Sequence, residues 1–160
     1  MRFVTYLLVA LITHYFASFI QIVCHRLFGH TRRIEKLFRI HTNGHHAKYP
    51  PTQLRSSVWI PNEEHITWYY AIAFAPFLVL CYAIAPSDVF MVFVLSLLAS
   101  TGVHIYLHRQ YHLQTTWLTR FTWFRRKQHL HFVHHRSVTR NYAIVEFFWD
   151  KLMRTYCDEL

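Results

Sequence analysis

Three long stretches without a charged side chain constrain the fold more than any other feature of this sequence. The first, residues 3–23, would measure about 31 Å as an α-helix, which is enough to cross the hydrocarbon core of a bilayer. Two more, residues 67–85 and 89–106, are separated by a short turn at residues 86–88, as in a helical hairpin. In a chain of 160 residues the remaining sequence is too short to bury three helices that are apolar on all sides. The sequence therefore predicts three transmembrane helices.

Positive charge is distributed unevenly around these spans. Of the 17 Lys and Arg residues, about seven lie between spans one and two, about nine follow span three, and Arg2 alone precedes span one. The positive-inside rule then places residues 25–66 and 107–160 in the cytoplasm. We expect a single domain, residues 1–160, that crosses the endoplasmic reticulum or a bacterial inner membrane several times. The formal net charge of +9 fits anionic headgroups, and no nucleic-acid-binding module is recognisable, so no nucleic-acid partner is expected.

Histidine is the most informative residue type, with 14 in the chain. The 3 cysteines are widely spaced and form no thiolate metal box, so any bound metal must be held by imidazole. Most of the histidines fall into four boxes at the cytoplasmic ends of the predicted spans: His25 and His30; His41, His45 and His46; His104, His108 and His112; and His131, His134 and His135. Ten or so clustered imidazoles exceed the three or four that one zinc ion binds, so the boxes predict two metal ions. Their spacing alone does not choose among Zn, Cu, Fe and Ni.

Helical spacing indicates which histidines share a face. Residues three or four apart lie on one side of an α-helix, so the box that begins at His104 and the box that begins at His131 are each expected to converge on one point. His25 and His30 are five apart and would point about 140° apart on an ideal α-helix. The chain near Gly29 must therefore bend or unwind if both bind the same centre.

The boxes resemble those of a known family. His25-x4-His30, His41-x3-His45-His46, His108-x3-His112 and His131-x2-His134-His135 are similar to the boxes of the fatty acid hydroxylase and sterol desaturase superfamily of membrane di-iron oxygenases. The segments Tyr49-Pro50-Pro51, Asn141-Tyr142 and Trp149-Asp150 also resemble family members, and the resemblance covers nearly the whole chain.

This resemblance implies a fold, a metal centre and a reaction. The fold would be an all-α polytopic membrane bundle with a histidine-rich helical cap on the cytoplasmic side. Two iron ions, with zinc as a substitute in purified material, would be held by ten ligands: His25, His30, His41, His45, His46, His108, His112, His131, His134 and His135. The implied reaction is hydroxylation or desaturation of a lipid at an unactivated C–H bond, with O2 as co-substrate.

Further residues are expected to support the metal centre. Asp150 is the preferred carboxylate for orienting a ligand through its second ring nitrogen, ahead of Glu35, Glu63, Glu64 and Glu146. No phosphate-binding glycine loop for a flavin or nicotinamide is present, so electrons must come from outside the chain. The basic cytoplasmic face suits an acidic donor that is similar to cytochrome b5 or to a ferredoxin.

Two polar stripes run along the predicted spans towards the boxes. His14, Ser18 and Gln21 lie on one face of span one, and Ser96, Ser100 and His104 lie on one face of span three. We expect these stripes to face each other and to line the inner end of a substrate cleft, because polar groups at that depth avoid lipid. Hydrogen bonds that only hold the bundle together fit the same pattern equally well.

Other functions fit part of the pattern. A carotenoid ring hydroxylase of similar size carries similar boxes. A metal transporter or a non-catalytic metal-binding protein would use the same ligand type, but a transporter should carry ligands near mid-membrane in more than one span, where this chain has only His14. An enzyme that uses its metal for hydrolysis or isomerisation would turn over without O2. The sequence does not identify the lipid.

Overall fold

The uncharged stretches form the longest helices of the protein. The computed structural model describes residues 2–61 and 67–159, apart from the side chains of residues 67–71. Within the described residues the chain is helical, with no strand beyond an isolated bridge between Ser56 and Leu113. The α-helices are α1 (Arg2–Cys24), α2 (Glu35–Phe38), α3 (Thr67–Ile84), α4 (Ser87–Tyr111), α5 (Thr122–Arg136) and α6 (Phe148–Leu152). Two π-helical segments, His25–Gly29 and Arg39–His46, and a 3₁₀ turn, Trp117–Arg120, complete the described helices.

Helices α1 and α4 pack side by side and run in the same direction. Near their first residues, the hydroxyl of Tyr6 donates a hydrogen bond of 2.5 Å to Asp88. Further along, the Nδ1 of His14 lies 3.0 Å from the hydroxyl of Ser100. Because both helices end at the same side, the chain must return between them, and α3 is the helix that returns.

The surfaces of α1 and α4 are apolar where they face outward. Residues Arg2–Gly29 and Ser87–Tyr111 are long and apolar enough to cross a membrane by length and composition. Large apolar side chains project from both helices, with Phe3 78% exposed and Leu98 64% exposed. This pattern favours association with lipid over a buried position in a soluble core. The described apolar part of α3, Ile72–Ile84, is shorter, so the third span and the cytoplasmic side of the histidines stay predictions.

Two hydrophobic clusters fix α5 against the ends of the long helices. One cluster joins Leu107 and Tyr111 of α4 to Phe124 of α5. The other joins Ile22 of α1 to Leu130 of α5 and also contains Tyr142, Ala143 and Phe147. Burial of aromatic and aliphatic side chains in both clusters therefore holds the histidines of α5 beside those at the ends of α1 and α4.

Candidate metal centre

The two π-helical segments carry the histidines that are five residues apart. In a π-helix the backbone hydrogen bonds join residues i and i+5, so residues five apart lie on the same face. The ring centroids of His25 and His30 are 5.0 Å apart, and those of His41 and His46 are 4.8 Å apart. The departure from α-helical geometry that the sequence required near Gly29 is therefore a π-helical segment, His25–Gly29.

The imidazoles converge in two groups. Within each group the available ligand nitrogens all lie within 4.8 Å of one another. The first group consists of His25, His30, His41, His46 and His134, and the second consists of His45, His108, His112 and His131. The tenth predicted ligand, His135, lies beside the second group, with its Nε2 3.1 Å from the Nε2 of His45. The structure thus brings all ten predicted ligands together around two points.

Individual boxes are divided between the groups, which differs from the sequence prediction. His131 lies in the second group and His134 in the first, although the box on α5 was expected to converge on one point. His45 is likewise separated from His41 and His46. Residues three apart on an α-helix point about 60° apart, so a box that lies between two centres places His131 beside one and His134 beside the other. His104, one turn before His108 on α4, belongs to neither group.

Backbone carbonyls fix the orientation of several rings. Four imidazoles place Nδ1 within hydrogen-bond distance of a carbonyl oxygen: His25 on Tyr142 at 2.5 Å, His112 on Leu54 at 2.8 Å, His134 on Arg140 at 2.7 Å and His135 on Tyr49 at 2.8 Å. A carbonyl oxygen only accepts hydrogen bonds, so Nδ1 must carry the hydrogen in each ring. The Nε2 lone pair of these four rings is therefore free to bind a metal ion.

The Nε2 atoms face one another at short distances. In the first group, His25 Nε2 lies 2.8 Å from His41 Nε2, and His30 Nε2 lies 3.0 Å from His134 Nε2. In the second group, His112 Nε2 lies 2.9 Å from His131 Nε2. Since His25, His134 and His112 use their hydrogens at Nδ1, several of these nitrogens present lone pairs to a shared point, and a cation at that point removes their mutual repulsion.

Burial keeps the rings neutral. It lowers the pKa of His46 to about 3 and the pKa of His112 to about 4. For His41 and His131, burial and the neighbouring imidazoles hold the pKa well below the ordinary value. A neutral imidazole is the form that binds a metal ion. The donor set therefore fits two metal ions.

The spacing of the nitrogens also fits metal binding. At a metal–nitrogen distance of about 2.1 Å, two ligands at a right angle are about 3.0 Å apart, and two tetrahedral ligands are about 3.4 Å apart. The contacts between the second-group pairs His108–His45 and His112–His131 measure 3.0 and 2.9 Å. These separations are of the size expected between two nitrogens that bind the same metal ion.

Asp150 supports the site through the backbone. Its buried carboxylate accepts hydrogen bonds from the amides of Tyr142 and Ala143, at 2.8 and 2.9 Å, and from the hydroxyl of Thr155 at 2.7 Å. Burial raises the pKa of Asp150, and these donors oppose that effect. The carboxylate therefore positions the carbonyl of Tyr142 that contacts His25. This differs from the expected direct hydrogen bond to a ligand ring.

The other predicted carboxylates have different surroundings. Glu35 pairs with Arg39 on the surface, at 2.8 Å. Glu146, between α5 and α6, lies 3.4 Å from the Nε2 of His14 on α1 and 3.7 Å from the Nζ of Lys127 on α5. The sequence did not indicate these partners because both are distant from Glu146 along the chain. The candidates Glu63 and Glu64 lie outside the described residues.

The two polar stripes meet between α1 and α4. Ser18 and Gln21 on α1 and Ser100 on α4 are buried, and His14 contacts Ser100. Hydrogen bonding between the helices thus accounts for part of the pattern. Whether the stripes also line a substrate cleft stays a prediction.

Of three comparisons with known proteins, one found a match, and it agrees with this geometry. No curated protein sequence and no solved structure matches the chain. The family model described as fatty acid hydroxylase matches residues 7–155, which include every histidine of both groups. Because this match spans most of the sequence, the chain belongs to the fatty acid hydroxylase family.

Proposed function

We propose that this protein is a membrane di-iron oxygenase that hydroxylates or desaturates a lipid at an unactivated C–H bond. The reaction would consume O2 and electrons from an external donor. The observation that carries the proposal is the convergence of neutral imidazoles around two neighbouring points, within a chain of the fatty acid hydroxylase family.

The ten histidines would hold the two metal ions. His25, His30, His41, His46 and His134 would bind one, and His45, His108, His112, His131 and His135 would bind the other. Two iron ions in such a site supply the redox chemistry that lets O2 take hydrogen from a methylene group. No carboxylate belongs to either group of nitrogens among the described residues, so the ligands leave the positive charge of the ions uncompensated.

The remaining residues of the site would orient and enclose these ligands. The carbonyls of Tyr142 and Leu54 hold the rings of His25 and His112 by hydrogen bonds to Nδ1. Tyr49 stacks on His112 with ring centroids 4.0 Å apart, and its burial excludes water from that side of the ring. Hydrogen bonds and ring contacts within the chain thus restrict the orientation of these ligands.

The surroundings of the site support a lipid substrate and an acidic electron donor. The ligands lie at one end of two apolar helices, so a lipid that enters from the bilayer would present a carbon near its headgroup. His14, Ser18, Gln21, Ser100 and His104 are the proposed lining of the inner cleft. With a formal net charge of +9, the chain would attract an acidic donor that is similar to cytochrome b5 or a ferredoxin.

Metal analysis and lipid analysis together test the proposal. Protein purified without chelators is expected to contain about two iron ions per chain, because each group of imidazoles forms one site. Lipid mass spectrometry of cells with and without the protein should reveal a hydroxylated or desaturated lipid whose formation requires O2. A carotenoid product would identify a carotenoid ring hydroxylase instead.

Two results would overturn the proposal. Turnover that continues without O2 would point to a hydrolytic or isomerising enzyme. Metal that binds singly and is released along a pH gradient, with no lipid product, would point to transport. A variant with His131 and His134 both replaced by Ala controls for lipid changes that do not depend on the metal centre.

A further inference from the structure

A basic groove lies outside the metal centre, on the loop that follows the second histidine box. It has a volume of about 520 Å³ and is lined by the loop residues Pro51 to Arg55, by Gln114, and by Phe132 and Arg136 of α5. This volume is within the range of sites for small molecules. No described residue of the lining is acidic.

Among the described residues, the two arginines of this groove have no acidic partner. Arg55 and Arg136 are both exposed, and neither guanidinium is paired with a carboxylate among the described residues. Two positive charges that line one groove repel each other unless an anion lies between them. Gln53, Gln114 and Thr52 add neutral hydrogen-bond donors to the same lining.

We propose that this groove binds a phosphate group, with Arg55 and Arg136 as its principal ligands. Arginine binds phosphate through two parallel N–H donors, and the amides and hydroxyl of the lining supply further donors to a tetrahedral anion. A concave groove fits a small ligand, whereas protein partners dock on flatter and larger surfaces. The phosphate would belong either to a lipid headgroup or to a soluble phosphate ester.

An anion in the groove would also connect two segments beside the metal centre, the loop that contains Leu54 and helix α5. Leu54, in the wall of the groove, provides the carbonyl that contacts His112. Arg136 directly follows His135 on α5. A phosphate held between Arg55 and Arg136 therefore ties the loop to α5 and restrains both rings.

Binding measurements on the purified full chain test this site without reference to oxygenase activity. The chain in an uncharged detergent is titrated with glycerol 3-phosphate, and separately with mixed micelles that contain phosphatidic acid or, as the control without phosphate, diacylglycerol. We expect phosphatidic acid or glycerol 3-phosphate to bind with one site per chain. Arg55→Gln and Arg136→Gln should each weaken binding roughly tenfold or more, because each removes charge-assisted hydrogen bonds.

The matched control is Arg33→Gln, which removes an exposed arginine outside the groove and should bind like the wild type. Binding of phosphatidic acid alone would identify a lipid headgroup, and equal binding of glycerol 3-phosphate would identify a soluble ester. If a glutamine variant does not fold, Arg55→Lys and Arg136→Lys take its place, and each should bind more weakly than the wild type because lysine lacks the planar fork.

Three results would overturn the inference. One is equal phosphate binding by the wild type and the groove variants. Another is phosphatidic acid that binds no better than diacylglycerol, with no binding of glycerol 3-phosphate. The third is that the groove variants lose binding to an acidic redox protein while the wild type binds no phosphate. The groove would then be a protein-docking surface. None of these results bears on whether the metal centre is an oxygenase.

Discussion

The carboxylate of Asp150 accepts a hydrogen bond of 2.9 Å from the amide of Ala143, and the carbonyl of Tyr142, in the same peptide unit, lies 2.5 Å from the Nδ1 of His25. Asp150 touches no ligand ring, and it positions the ring of His25 through the single peptide unit between Tyr142 and Ala143. The contact gives this buried carboxylate a structural role beside the candidate metal centre.

Replacing Asp150 by Asn should weaken this support. The amide oxygen of Asn can accept the hydrogen bond from the amide of Tyr142. Its NH₂ group would then face the N–H of Ala143, and two donors cannot form a hydrogen bond with each other. We expect a loss of about 1–3 kcal/mol in stability and a lower metal content. Thermal unfolding in detergent and metal analysis per chain measure the two effects. Thr155→Ser, which keeps the hydroxyl that donates to Asp150, should behave like the wild type.

Replacing Gly29 by Ala should disturb metal binding more than folding. A Cβ at this position would lie 3.0 Å from the Cδ2 of His41 and 3.2 Å from the Cδ2 of His25, so both rings must shift by a few tenths of an ångström. Alanine favours helix by about 1 kcal/mol over glycine, which offsets the effect on stability. We expect a several-fold lower metal affinity, measured by competition with a chelator, and little change in the unfolding temperature.

Gly102→Ala is the matched control for that substitution. A Cβ at Gly102 would meet no atom within 4 Å, so the variant should bind metal like the wild type. Equal metal affinity of the Gly29 and Gly102 variants would contradict the proposed packing of rings on Gly29.

Ligands from the two groups should have separable effects. His30→Ala removes a nitrogen from the first group and His131→Ala removes one from the second, so each should lower the metal content by about one ion per chain. His129→Ala is the control, because this exposed ring contacts the carbonyl of Asp158 and lies outside both groups. Loss of all metal in both ligand variants would indicate that the two sites load only together.

His14→Phe tests the proposed cleft. His14 contacts Ser100 and Glu146 but belongs to neither group of ligands, so the metal content should stay unchanged. If the ring lines the cleft, turnover of the lipid should fall roughly tenfold or more, because a misplaced substrate loses its alignment with the reacting centre. Ser100→Ala removes the hydroxyl that contacts His14 across the two helices but keeps the His14 ring. Loss of folded protein in detergent from both variants would instead assign the stripe to helix packing.

The long helices and the ligand types could be predicted because both are local features of the sequence. An uncharged run sets the length of α1 without reference to the rest of the fold, and the box spacings identify imidazole as the ligand. The rotation of each box relative to its neighbours is a tertiary property. The assignment of His131 and His134 to different groups therefore became visible only in the structure.

The atoms that orient the rings could not be predicted for a different reason. The acceptors at Tyr49, Leu54, Arg140 and Tyr142 are backbone carbonyls, which every residue type provides. No side-chain pattern marks such a position. The predicted role of Asp150 missed the intervening peptide unit for the same reason, although Asp150 does lie one peptide unit from a candidate ligand.

The π-helical segment His25–Gly29 has a consequence for how related chains should be aligned. Deleting one residue between His25 and His30 would leave the two rings four apart, which is one turn of an ordinary α-helix, and both would still face the same side. The same deletion within α1 would rotate every later residue by about 100° relative to the apolar face. A one-residue gap is therefore conservative inside this histidine pair and disruptive a few positions earlier.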